Sequence, residues 1–142
     1  MNRVVLDASV VLKWFLTDEE HGAKALNLLG RYTSNELDIL APSLLEYEVL
    51  NGLTIAKKRG RINEETILTA TEGFLSLDIK VLNLSQIYNK VFHYCKIFHR
   101  SAYDASYLAA ADEMGLPLIT ADEALYREVK KELKWVKWLG DI

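Results

Sequence analysis

The chain holds 142 residues, half of them apolar and 26% charged, which suits an ordinary soluble protein forming one domain over residues 1–142. Its formal charge of −3 excludes a protein whose whole surface grips nucleic acid, but not a nuclease whose acids gather around a cation. No apolar run approaches the roughly 18 residues of a membrane span. Asp7 cuts the first apolar run too early for a signal peptide, and the single cysteine, Cys95, has no internal partner, so a cytoplasmic protein is expected.

Val4-Val5-Leu6 reads as a strand covered on both faces, followed by a short helical segment to about Leu16. Thr17-Asp18-Glu19-Glu20 has capping-box spacing and predicts a helix with Ala23, Leu26 and Leu29 on its buried face. A second strand, Leu37 to Ala41, ends at Pro42. Ser43 and Glu46 predict another capping box, opening a helix to about Arg59, where Gly60 stops it. Asn63 caps the next helix, with Ile67, Leu68 and Phe74 on its apolar face. Ile79 to Leu82 is the third strand, and a helix from about Ser85 to Phe98 follows. Ser101 opens a helix reaching Met114; Leu118 to Thr120 is the fourth strand. A helix from about Glu123 to Leu133 and the short aromatic strand Trp135 to Trp138 close the chain. Strands alternating with helices predict an α/β fold around a parallel sheet, with ligands beyond the carboxyl ends of the strands.

Acids at those ends are therefore the candidates for chemistry. Asp7 directly follows the first strand and Asp122 lies two residues past the fourth; either residue also suits a helix N-cap. Glu46 has a capping role available, whereas Glu48 sits about 200° further round the helix among Leu45, Val49, Leu50, Leu53 and Ile55. A carboxylate there must reach solvent or find a cation, because burying it alone is costly. Asn51 stands one turn along, where its amide can hydrogen-bond a carboxylate or a metal-bound water. Asp104 fits the box begun by Ser101, yet the helix it opens is nearly all small or apolar from Ala105 to Ala111 and so is packed inside the fold.

The ordered set Val4-Val5-Leu6-Asp7-Ala8-Ser9, Glu48-Val49-Leu50-Asn51, Tyr103-Asp104-Ala105-Ser106-Tyr107-Leu108-Ala109 and Leu118-Ile119-Thr120-Ala121-Asp122 resembles the PIN domain, most closely the VapC-like toxins, over essentially the full length. The resemblance implies a three-layer α/β/α sandwich with a central parallel sheet. It implies a cluster of four acids at the sheet's carboxyl end: Asp7, Glu48, Asp104 and Asp122, supported by Ser9, Asn51 and Thr120. It also implies a metal-dependent endoribonuclease, the toxin of a toxin–antitoxin pair, with an RNA substrate, a VapB-like antitoxin bound to the two helices after Pro42, and a homodimer.

Carboxylate oxygens select Mg²⁺ or Mn²⁺ rather than zinc, and His21, His93 and His99 show no ligand spacing. Such an ion can lower the pKa of a bound water and neutralise charge growing on a phosphate. For RNA, the dense basic cluster is Lys57, Lys58, Arg59 and Arg61, with Lys13, Lys96, His99 and Arg100 as further candidates; cations at a helix C-terminus also simply suit the dipole. Trp14, Tyr47, Tyr88, Tyr103 and Tyr107 are placed either to stack on bases or to fill the core. Other readings fit less well. A phosphorelay receiver calls for an acidic pair after the first strand, where only Asp7 stands. A haloacid-dehalogenase-like phosphatase calls for an acid at Ser9. A non-catalytic PIN scaffold is disfavoured by the presence of all four acids.

Overall fold

The computed structural model describes residues 2–142. Five strands, β1 (Arg3–Leu6), β2 (Asp38–Pro42), β3 (Lys80–Leu82), β4 (Leu118–Thr120) and β5 (Val136–Trp138), form one sheet in the order β3-β2-β1-β4-β5. Every neighbouring pair is parallel. Val4, Val5 and Leu6 are fully buried, as befits a central parallel strand.

Among the described residues seven α-helices flank the sheet. The connections from β1 to β2 and from β2 to β3 carry α1 (Ala8–Val11), α2 (Gly22–Thr33), α3 (Leu44–Lys58) and α4 (Glu64–Ser76). Those leading to β4 and β5 carry α5 (Leu84–Phe98), α6 (Ala102–Met114) and α7 (Glu123–Val129). Right-handed crossovers put the first set on one face and the second on the other, giving the α/β/α sandwich. The connection order reverses between β1 and β4, so the crevice for a ligand opens where Asp7 and Thr120 end their strands. Helix α6 lies across β2, β1 and β4, and all seven residues from Ala105 to Ala111 are buried.

Several local expectations fail for identifiable reasons. Residues 17–21 are turns, and α2 starts at Gly22 after His21 in the left-handed region (φ 62°). The acids of the expected box are used elsewhere: Arg61 holds Asp18 and Glu19, each at 2.9 Å. The helix is consequently rotated, burying Gly22, Ala25 and Leu28 and leaving Ala23 and Leu26 exposed. At Gly22 a side chain would meet the Thr17 carbonyl oxygen at 2.6 Å, which fixes that face inward. Ser43 makes no side-chain cap, because its backbone is already helical, and the N–H that Glu46 would have bound donates to the Leu82 carbonyl (2.8 Å). β2 runs on through Pro42, and α7 ends at Val129, one turn before Leu133.

Asn63 caps α4 as expected, and α5 begins one residue earlier than expected with a capping box of Asn83 and Gln86. On α3, Leu45, Val49, Leu53 and Ala56 are buried, while Tyr47, Leu50 and Ile55 face outward. Helix α4 buries Ile67 and Phe74 and exposes Leu68 and Leu75. Leu53 and Phe74 therefore belong to the chain's own core, and the outward apolar set is smaller than the sequence suggests. Among the described residues no helix is long and apolar enough to cross a membrane.

Candidate active site

Asp7 leaves the central strand and caps α1. Its Oδ1 accepts from the Ser9 backbone N–H (2.7 Å) and from the Ser9 hydroxyl, and its Oδ2 accepts from the Thr120 hydroxyl (2.6 Å). The same two hydroxyls bind the facing loop: the N–H groups of Ala121 and Asp122 donate to Ser9 Oγ (2.8 Å) and Thr120 Oγ1 (3.0 Å). Asp122 caps α7 through Leu125 N–H (3.1 Å). Asp7 and Asp122 thus each cap a helix at the edge of the crevice. Burial is the main reason the Asp7 carboxyl is raised from 3.8 to about 6. The hydrogen bonds from Ser9 and Thr120 oppose that rise, and the charge of Asp122 adds to it.

The other two acids form a second pair, on helices. Glu48 accepts from the Tyr107 hydroxyl at 2.5 Å. Partial burial raises its carboxyl, Tyr107 counters, and Asp104 raises it further. Asp104, half-buried in the first turn of α6, pairs with Arg100 (3.1 Å), which also holds Glu128 (2.7 Å). Tyr107 joins Glu48 to the residue after Asp7, because the Ala8 backbone also bonds its hydroxyl. Burial first, then the charge of Glu48 and more weakly that of Asp7, drives its phenol far above the ordinary range, so it serves as a proton-bearing donor.

Each acid thus feels a second acid, but no three His, Cys, Asp or Glu side chains among the described residues converge tightly enough to hold an ion. As a donor set the site suits Mg²⁺ or Mn²⁺, being all hard oxygen with a supporting hydroxyl layer. Arg100 currently neutralises one of its members.

The remaining predicted residues fall outside this centre. Asn51 is exposed on α3, and no hydrogen bond joins its amide to the four acids among the described residues. Lys13 is buried and sits 3.5 Å from Glu19; Arg61 is engaged by Asp18 and Glu19. Lys57, Lys58 and Arg59 are exposed at the end of α3. Tyr107 was read from sequence only as a base-stacking or core residue. Its spacing of three from Asp104, on one face of a buried helix, was the signal for its position.

The PIN domain model matches residues 4–131, and the chain belongs to the PIN-domain family. It is 30% identical over 122 residues to ribonuclease VapC12 of Mycobacterium tuberculosis, covering 86% of this chain and 88% of the relative. The fold is similar to that of PAE2754 from Pyrobaculum aerophilum, with a TM-score of 0.65 and 24% identity over 99% of this chain and 85% of that one. It is also similar to a toxin-antitoxin complex from Klebsiella pneumoniae, with a TM-score of 0.58 and 16% identity over 94% and 98% of the two chains.

Proposed function

We propose that this chain is a Mg²⁺- or Mn²⁺-dependent endoribonuclease of the cytoplasm, the toxin of a toxin–antitoxin pair. The observation that carries this reading is the position of Asp7, buried at the sheet's switch point, gripped by Ser9 and Thr120 and repelled by Asp122. A structural cap needs no such burial of charge. An acid kept there at the cost of desolvation suits a cation. The relationship to a protein named ribonuclease VapC12 supports RNA as substrate.

In this reading Asp7, Glu48, Asp104 and Asp122 hold the metal. When bound, the ion supplies an activated water and neutralises charge on the scissile phosphate. The protein's own contribution is positional. Ser9 and Thr120 fix the Asp7 oxygens, Tyr107 holds one oxygen of Glu48, and Arg100 pairs with Asp104.

A VapB-like antitoxin and a second copy of the chain are the proposed protein partners, and the outward Tyr47, Leu50, Ile55 and Leu68 on α3 and α4 suit an amphipathic partner helix. The likeness in fold to a chain solved in a toxin-antitoxin complex supports that partnership. The test is cleavage of a panel of structured RNAs with Mn²⁺, with EDTA and with Asp7→Asn as controls. Cutting that requires both metal and Asp7 is expected; cutting that survives EDTA or the substitution contradicts the reading.

A further inference from the structure

Two of the cations that the sequence offers for RNA, Lys13 and Arg61, pair with Asp18 and Glu19, and Arg100 pairs with Asp104 and Glu128. The opposite edge of the sheet differs. A groove of about 410 Å³ between the end of α7 and β5 is lined by Lys130, Lys131, Lys134 and Lys137, all exposed. Among the described residues none of the four makes an ion pair, and Asp141 is the one acid lining the groove. In a chain of net charge −3 this is a local excess of three positive side chains. Unpaired lysines along one edge cost folding little and are what a polyanion needs.

The groove also has aromatic walls. Tyr126 and Trp138 lie 5.8 Å apart between ring centroids, tilted by 36°, and Lys130 stands 5.7 Å over the Tyr126 ring. Both rings are half-buried, each offering part of its surface to the groove. Trp138 pairs in register with Thr120, the residue whose hydroxyl binds Asp7, so it lies about one strand spacing, roughly 5 Å, from that residue's backbone.

A second groove shares Tyr126, Lys130 and Trp138 and is lined further by Glu20 and by Glu123, the residue after Asp122. Glu123 is neutralised there by Arg127. The path from Asp122 to Lys130 follows α7 and spans roughly 12 Å.

We infer that the lysine groove at the β5 edge is a binding track for the sugar–phosphate backbone of single-stranded RNA, leading past Tyr126 and Trp138 to the acids. This rests on the nuclease reading above. Phosphates meet Lys130, Lys131, Lys134 and Lys137, and unpaired bases stack at the aromatic pair. A strand held there is positioned beside a site whose own charge repels it, which gives the negatively charged centre the substrate affinity it otherwise lacks. An acidic protein segment would satisfy the lysines but makes no use of aromatic faces beside the acid centre.

The test uses fluorescence anisotropy of a labelled 12-nucleotide oligouridylate, in the Asp7→Asn background with Mg²⁺, across a range of KCl. Replacing Lys131, Lys134 and Lys137 together by Gln is expected to weaken binding at least tenfold at low salt. It should also reduce the salt slope by about 2, since each phosphate contact on a single strand contributes about 0.7. The Arg triple variant is expected to bind within twofold of the parent. A Gln variant with the parent's affinity and slope overturns the inference. So does failure of the parent to bind oligouridylate while it retains an oligoglutamate peptide. Cleavage by the wild-type chain is scored separately. Lysine-dependent binding without cleavage contradicts the nuclease reading alone, and cleavage with lysine-independent binding contradicts the track alone.

Discussion

The two acid pairs at the crevice are built on different principles. Asp7 and Asp122 stand at the ends of sheet strands or just beyond them, and their oxygens are held by neutral donors: hydroxyls of Ser9 and Thr120 and backbone N–H groups of the helices that follow. Glu48 and Asp104 stand on helices, half-buried like Asp122, and are held by Tyr107 and by a cation, Arg100. Neutral donors orient a carboxylate without cancelling its charge, so the first pair keeps its attraction for an ion. The second pair is partly cancelled by Arg100, which in the proposed function would have to give way to the ion. The sheet half is therefore preorganised and the helix half adjustable, and each half responds to mutation in its own way.

The largest effect is expected at Asp7. Asp7→Asn should reduce RNA cleavage more than ~100-fold, because even the hydrogen-bond partners behind a metal ligand are worth about 10–100-fold. Gel assays with Mn²⁺ measure this, and a loss below tenfold would mean that the sheet half is not the anchor.

Stability in the absence of metal provides the next test. The folded carboxyl of Asp7 is raised from 3.8 to about 6, so the folded state favours its protonated form. That contribution is present below pH 3.8 and is lost as pH rises through 6, at a cost of up to roughly 3 kcal/mol. In EDTA, Asp7→Asn should melt above the wild type at pH 7.5, and the difference should shrink towards pH 4. If the variant instead melts lower at pH 7.5, the bonds from Ser9 and Thr120 outweigh desolvation, and the site is a cap before it is a cation site.

Tyr107→Phe tests the link between the halves. It removes a buried donor to a charged acceptor, and cleavage should fall about tenfold while the apparent Mn²⁺ requirement rises. A variant with unchanged metal dependence would make Tyr107 a packing residue.

The smallest effect is expected from Arg100→Gln. The Arg100–Asp104 pair is partly exposed and stabilises the fold by less than about 1 kcal/mol, so the melting temperature should barely move. Freed from Arg100, Asp104 should bind cation better, lowering the Mn²⁺ concentration for half-maximal cleavage severalfold. An increase would show that Arg100 serves substrate rather than covering the acid.

Much of this was legible in the sequence because it depends on chain-local signals. Val4 to Leu6, Ala105 to Ala111 and Leu118 to Thr120 are apolar runs whose burial follows from composition alone, and the acids beside them are found by position. What failed depends on distant partners. The Thr17–Glu20 box is lost to Arg61, some forty residues away, and the Glu46 half of the Ser43 box to the carbonyl of Leu82. In the basic cluster Lys57 to Arg61 the same cause acts on one member: Arg61 is paired with Asp18 and Glu19, while Lys57, Lys58 and Arg59 are exposed. Lys130, Lys131, Lys134 and Lys137 lie within eight residues of sequence, but it is the packing of α7 beside β5 that sets them along one groove.

The central claim is that all four acids serve one cation despite their two modes of support. Calorimetric titration of Mn²⁺ at pH 7.5 into the wild type and into Asp7→Asn, Glu48→Gln, Asp104→Asn and Asp122→Asn tests it directly. All four variants are expected to bind at least tenfold more weakly than the wild type, with Asp7→Asn the weakest. Wild-type affinity in both Glu48→Gln and Asp104→Asn would contradict the account, leaving the helix pair as surface charge and Asp7 with Asp122 as the whole of the site.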